Sequence, residues 1–254
     1  AQREFMCSAD LREFMDAHHL DRTMSAAASG GFGFQSTSAF GNGGMNGGGN
    51  SSSGAALGHN HFNPRTAFGT ATTKDRIYNT PRAWFMLRYL NPHSKKWDGP
   101  NADYTPRSDD LPWCMVPERK VTPEDIKYML SSHYQGTPYD PYLSYGDKSA
   151  KGAYRSIGIN RNDFMALLQM RPDQPEESRA VEWVAYASNA FNTMVPFYAN
   201  VERTPEYLAN TTGTVSTDNF YWTSRLIAAM ADASYNKSLF HLERYEEAVL
   251  SAAR

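Results

Sequence analysis

The sequence predicts a mixed α/β protein of the α+β kind, with helices laid over a sheet. Three observations carry this. Helix-start signals open segments near residues 8, 80 and 122; alternating apolar stretches follow between residues 154 and 188; and apolar residues at spacings of three and four return after residue 216. Helices, then strands, then helices in one chain suggest a sheet covered by helical layers.

Bulk properties narrow the function. The 254 residues suffice for one large domain or two small ones. A net charge of −2 gives no footprint for a nucleic-acid partner. At 13% aromatic, the chain is richer than a disordered one, so a packed core is expected. No apolar run reaches the roughly 18 residues of a membrane span, so no membrane partner is expected. Cys7 and Cys114 are too few for a disulfide-built fold, although one bridge between them stays open. Nothing fixes the compartment or the oligomeric state. A cytoplasmic location is favoured, and a homo-oligomer is left open.

The first element is an amphipathic helix over 8–20, with Ser8 as cap and Leu11, Phe14, Met15 and His18 on one face. Residues 1–24 form this helical lead-in. His18 and His19 belong at its end, where imidazolium is favoured near exposed carbonyls. Residues 25–60 hold 11 of the 18 glycines, among Ser, Asn and Ala. Such a tract orders too much backbone for the apolar area it buries, so it reads as a flexible loop or insertion. No Gly-Lys-Ser/Thr follows it, so it is not a phosphate loop. His59 and His61 lack a visible third ligand, and neither a metal nor another cofactor is expected.

Residues 61–254 form the main body. A helix is predicted over 75–90, with Thr80 capping, Pro81 in the first turn, and Ala83, Trp84, Leu87 and Leu90 at helical spacing. Arg82 falls in that first turn, against the helix dipole. Either it serves a site, or it pairs with an acidic neighbour such as Asp75. Residues 91–121 read as irregular turns pinned by Trp97 and Trp113. Asp109 and Asp110, being adjacent, suit a turn better than a catalytic pair. Thr122-Pro123-Glu124-Asp125 signals a capping box, Ile126, Met129 and Leu130 a buried stripe, and Gly136 a stop. His133 reads as a helix-end histidine. Residues 154–160 and 164–170 alternate around Arg161-Asn162-Asp163, predicting a hairpin, and 179–188 supplies a third antiparallel strand with Val181, Trp183 and Ala185 on one face. Short and long helices are expected from Thr204 and Ser216, the longer with Tyr221, Leu226, Ile227 and Met230 on its apolar face. A terminal helix over 236–252 follows.

The stretch from Trp183 to Trp222 is crowded with aromatics and asparagines. Asparagine offers donor and acceptor without charge. It suits either turns held by side chains or the wall of a polar cleft. Here wording adds to pattern. Ser188-Asn189-Ala190-Phe191-Asn192, Val195-Pro196-Phe197-Tyr198-Ala199-Asn200-Val201 and Asn210-Thr211-Thr212 resemble the dipeptidase A family of N-terminal-nucleophile cysteine hydrolases. So do Tyr78-Asn79-Thr80-Pro81-Arg82-Ala83-Trp84, the block Ser131 to Tyr142, and Ile157 to Asn162, in the family's order.

The resemblance implies the later portion of a four-layer α-β-β-α fold, with 25–60 as an insertion. It implies a dipeptidase acting on dipeptide substrates. An N-terminal cysteine thiolate would attack the peptide carbonyl, its own α-amino group acting as base, with no metal. It also implies that this chain is a fragment without the nucleophile, because the family's opening strands have no counterpart here. Helix signals follow Cys7 where the family has a strand, which favours an incidental thiol. Related amidases carry an active-site arginine in a setting like that of Arg82, so Arg82 is expected to line the site. Asn189 and Asn192 are candidates for contacting the substrate backbone. The alternative is a non-catalytic peptide-binding remnant, or a subunit that needs a partner chain.

Overall fold

The computed structural model describes residues 8–20 and 68–253. The glycine-rich tract, Cys7, His59 and His61 lie outside them. Helix α1 spans Leu11–Ala17, with Asp10 rather than Ser8 at its cap position. Met15 is buried, but Phe14 is half exposed, with the His18 ring tilted against it 4.4 Å away. The predicted shared apolar face therefore reduces mainly to Met15.

The predicted helix over 75–90 is split in two. Helix α2 covers Asp75–Tyr78 and α3 covers Thr80–Leu90, joined at Asn79. Asp75 accounts for the split. Its carboxylate accepts hydrogen bonds from the hydroxyls of Thr70 and Thr72 and from the Asn79 side chain, so the acid gathers the first turn around itself. Thr80 does not cap; it is buried inside the helix. Trp84 and Phe85 of α3 pack with Trp97, Leu111 and Tyr134 into one core cluster. Trp97 anchors its loop through Nε1, which donates to the Asn91 carbonyl at 2.7 Å, whereas Trp113 is exposed and anchors nothing comparable. Asp109 ion-pairs with Arg76.

Helix α4, Pro123–Leu130, has the predicted capping box: the Thr122 hydroxyl accepts from the Asp125 N–H, and the Asp125 carboxylate accepts from the Thr122 N–H. It stops at Leu130, well before Gly136, because Ser131 and Ser132 turn the chain into a buried loop. The buried Lys127 ammonium donates to Glu246 at 3.1 Å, tying α4 to the last helix, α7 (Tyr235–Ala253).

The sheet has three antiparallel strands in the order β1-β2-β3: Phe164–Met170, Ala180–Tyr186 and Val195–Tyr198. The predicted strand over 154–160 is absent. Its backbone bonds instead outside any ladder, Arg155 N–H to Ile77 of α2 and both Ile157 and Gly158 N–H to Ser132 in the loop after α4. The third strand is Val195–Tyr198, where Pro196 interrupts the pattern. An edge strand tolerates that proline, since one side has no ladder to donate to. Val181, Trp183 and Ala185 share a buried face with Met165 and Met194, as predicted, covered by Leu130 of α4 and Leu250 and Ala253 of α7. Helix α5 is Glu206–Ala209. Helix α6, Phe220–Ala233, is capped by the Asn219 side chain, which accepts from the Trp222 N–H at 2.9 Å. Its buried face is Phe220, Ser224, Ala228 and Ala231 rather than the predicted set, of which Leu226 and Met230 are exposed. Helix α7 runs Tyr235–Ala253.

Candidate functional site

A groove of about 390 Å³ opens between the end of α2, the loop after α4, residues 152–160, and α6. Its floor comes from the block that follows α4. Here the chain turns sharply, with Tyr134 at φ 67° and Gly136 at φ 75°. A positive φ on a large residue costs energy and is held only where surroundings fix it. They do: Tyr134 is fully buried, and its hydroxyl donates to the Arg155 carbonyl at 2.9 Å. Gly158 completes the join. A Cβ there would stand 2.4 Å from the Ser131 carbonyl oxygen, so only glycine allows the two backbones to close.

The turn delivers His133 to the groove. Its Nδ1 lies 2.8 Å from Asp140 Oδ1, and its Nε2 lies 2.9 Å from the Tyr235 hydroxyl. A carboxylate at Nδ1 favours the tautomer that leaves Nε2 an acceptor, so Tyr235 is the natural donor to it. The Tyr142 ring stacks on Tyr235 at 4.1 Å and meets His133 edge-on at 5.0 Å. The Tyr142 hydroxyl donates to Asp232. Burial, reinforced by the Asp232 carboxylate, pushes the Tyr142 phenol well above the ordinary tyrosine range. Burial and the charge of Asp140 do the same for Tyr235. Both phenols therefore stay protonated donors at neutral pH. Asp140, Tyr142, Tyr235 and Asp232 were not singled out from the sequence. Only the block Ser131 to Tyr142 hinted at them, and Tyr235 lies 102 residues from its histidine.

Arg82 stands behind the groove wall. Its Nε donates to the Arg155 carbonyl at 3.2 Å and its Nη2 to the Ser156 carbonyl at 3.0 Å. It thus holds the loop that forms one wall. It does not pair with Asp75, whose partners are Thr70, Thr72 and Asn79.

Asn189 and Asn192 are buried beside the sheet, with only Phe191 between them reaching the groove. The Asn189 amide donates to the Leu130 carbonyl at 3.0 Å and its oxygen accepts from Asn162 at 2.8 Å. The Asn192 amide donates to Ser188 at 2.9 Å and to Tyr186 and Ser224 at 3.3 Å. Both side chains hold the wall from inside. Cys114 is exposed and is not among the residues that line the groove. Among the described residues no group of three His, Cys, Asp or Glu side chains could hold a metal, and no helix is long and apolar enough to cross a membrane.

Comparison with known proteins places these features in a family context. A family model described as peptidase family C69 matches residues 1–248. A protein named dipeptidase from Bifidobacterium longum is 48% identical over 246 residues, covering 97% of this chain and 40% of its own length. A probable dipeptidase A from Streptococcus pyogenes serotype M1 is 46% identical over 248 residues, 98% of this chain and 44% of its own. A dipeptidase A from Lactobacillus helveticus is 41% identical over 174 residues, 68% of this chain and 35% of its own. The chain thus spans about two-fifths of the length of these relatives.

Proposed function

The chain belongs to peptidase family C69, and from that premise we propose that it forms the substrate-binding part of a cysteine-type dipeptidase. The match over nearly the whole chain to proteins named dipeptidase carries this reading. The groove supports it: the rings of Tyr142, Tyr154 and Phe191 stand beside His133, Arg155, Ser156, Asn160 and Asp232, a mixture of apolar and polar groups that suits a small peptide. In the proposed reaction a thiolate attacks the peptide carbonyl carbon, the amine leaves with a proton, and water then hydrolyses the thioester to regenerate the thiol. We propose that this thiol comes from family sequence beyond the groove described here, since Cys114 is exposed and is not among the residues that line it. The sheet, with α4 and α7 on one face, is proposed to be part of a four-layer α-β-β-α fold.

Within this proposal Arg82 acts by positioning, through the carbonyls of Arg155 and Ser156. Asn189 and Asn192 shape the wall from behind. A dipeptide panel offered to the purified chain, with and without thiol alkylation, tests the reading. Binding without turnover, unchanged by alkylation, is expected. Failure to bind any dipeptide overturns the substrate assignment. Turnover that alkylation abolishes would place the nucleophile within the chain, and Cys7→Ala against Cys114→Ala would locate it.

A further inference from the structure

The dipeptide reading, on which this inference rests, leaves open what in the groove would recognise the substrate's ends. Two charged groups line it without being matched by the protein. The first is Arg155. Its main chain is fastened on three sides: the N–H donates to Ile77 at 3.0 Å, and the carbonyl accepts from the Tyr134 hydroxyl at 2.9 Å and from Arg82 at 3.2 Å. Yet among the described residues no hydrogen bond or ion pair engages its guanidinium. The second is Asp232 on α6, which receives a hydrogen bond from the Tyr142 hydroxyl and, among the described residues, has no cation paired with it. No ion pair joins the two, so both opposite charges stay available at one small groove.

That arrangement matches a small zwitterion. A free dipeptide carries an ammonium at one end and a carboxylate at the other, with one peptide group between. We propose that Arg155 binds the C-terminal carboxylate and Asp232 the α-ammonium, so that the groove selects dipeptides by their two free ends. A guanidinium meets a carboxylate with two parallel hydrogen bonds. Its main chain is already fixed, which lowers the cost of ordering it on binding. Asp232 keeps free lone pairs for an ammonium once Tyr142 has taken one. Both groups are reached by water, so each contact is worth a modest factor, about two- to fivefold in affinity.

Calorimetric titration of the whole chain with alanylalanine, its N-acetyl derivative and its C-terminal amide tests this. The wild type is expected to bind alanylalanine about two- to fivefold more tightly than either blocked form. Arg155→Gln should lose the preference against the amide and keep that against the acetyl form. Asp232→Asn should do the reverse, and Arg155→Lys should retain part of the first preference. Variants that bind alanylalanine with the wild-type pattern overturn this inference and leave the dipeptide reading standing. If the wild type binds none of the three compounds, the dipeptide reading falls and takes this inference with it. An unchanged melting temperature in each variant assigns any loss to the contact rather than to the fold.

Discussion

At the scale of single residues, the asparagines show how a buried polar side chain can join elements through their backbone carbonyls. Asn192 is fully buried, and its amide serves the carbonyls of Tyr186, Ser188 and Ser224, joining the end of β2 to α6. Removing the donor leaves buried acceptors unmet, and each unmet group costs more than a hydrogen bond gains. Asn192→Ala is therefore expected to lower the unfolding free energy by about 2–3 kcal/mol, read by urea denaturation. Asn192→Asp should cost more, because a carboxylate has nothing to donate and faces carbonyl oxygens. A side chain whose sole duty was to a bound peptide would leave the denaturation midpoint in place. The sequence showed that these asparagines mattered but not which way they point, since a donor facing a cleft and one facing a β2 carbonyl are written alike.

At the scale of elements, legibility followed the range of the forces involved. Helix α4 was readable because its cap is local: Thr122 and Asp125 stand three residues apart and bond to each other's backbone. The same acid also has partners that sequence could not reveal. Arg119 Nη2 donates to it at 2.6 Å and the Tyr89 hydroxyl at 2.7 Å. The Arg119 guanidinium, together with the Thr122 N–H and Tyr89, holds the Asp125 carboxyl well below the usual carboxylate range. A folded-state pKa below the unfolded one gives stability that is complete above the unfolded value and is lost progressively as pH falls from there through the folded value. The stability gap between wild type and Asp125→Asn should thus be about 2 kcal/mol at neutral pH and shrink below about pH 4. Thermal unfolding across pH 2.5–7 would show this; a gap independent of pH would assign the loss to packing. The strands were harder to read. Residues 154–160 alternate, yet Ile157 and Gly158 bond to Ser132, a loop partner that no local pattern specifies. Val195–Tyr198 pairs with β2 despite Pro196, because β3 lies at an edge. The candidate site was the least legible part, since His133, Asp140, Tyr235 and Asp232 converge only after the loop, α6 and α7 have packed.

At the scale of the whole molecule, the sheet is unequally covered. One face is closed by α4 and α7. On the other, Phe164, Leu168 and Met170 of β1 are 64%, 77% and 68% exposed. They share one face of β1, with the exposed Ala166 between the first two, and among the described residues β1 pairs with β2 on one side only. A flat apolar edge strand offers both a hydrogen-bonding ladder and a greasy surface to another copy of itself. Scattered apolar residues would not have this effect; alternation along one strand aligns all three. The combined change Phe164→Thr, Leu168→Lys, Met170→Thr is therefore expected to leave the unfolding free energy within about 1 kcal/mol of wild type. It should also extend, several-fold, the concentration range over which light scattering reports a monomer. The lysine matters most, because one charge on an edge opposes pairing by a second identical strand. A marked loss of stability would mean instead that these side chains carry packing weight in the folded chain, and unchanged self-association would shift the cause to another surface, the exposed Met230 and Phe240 of α6 and α7 being next in line.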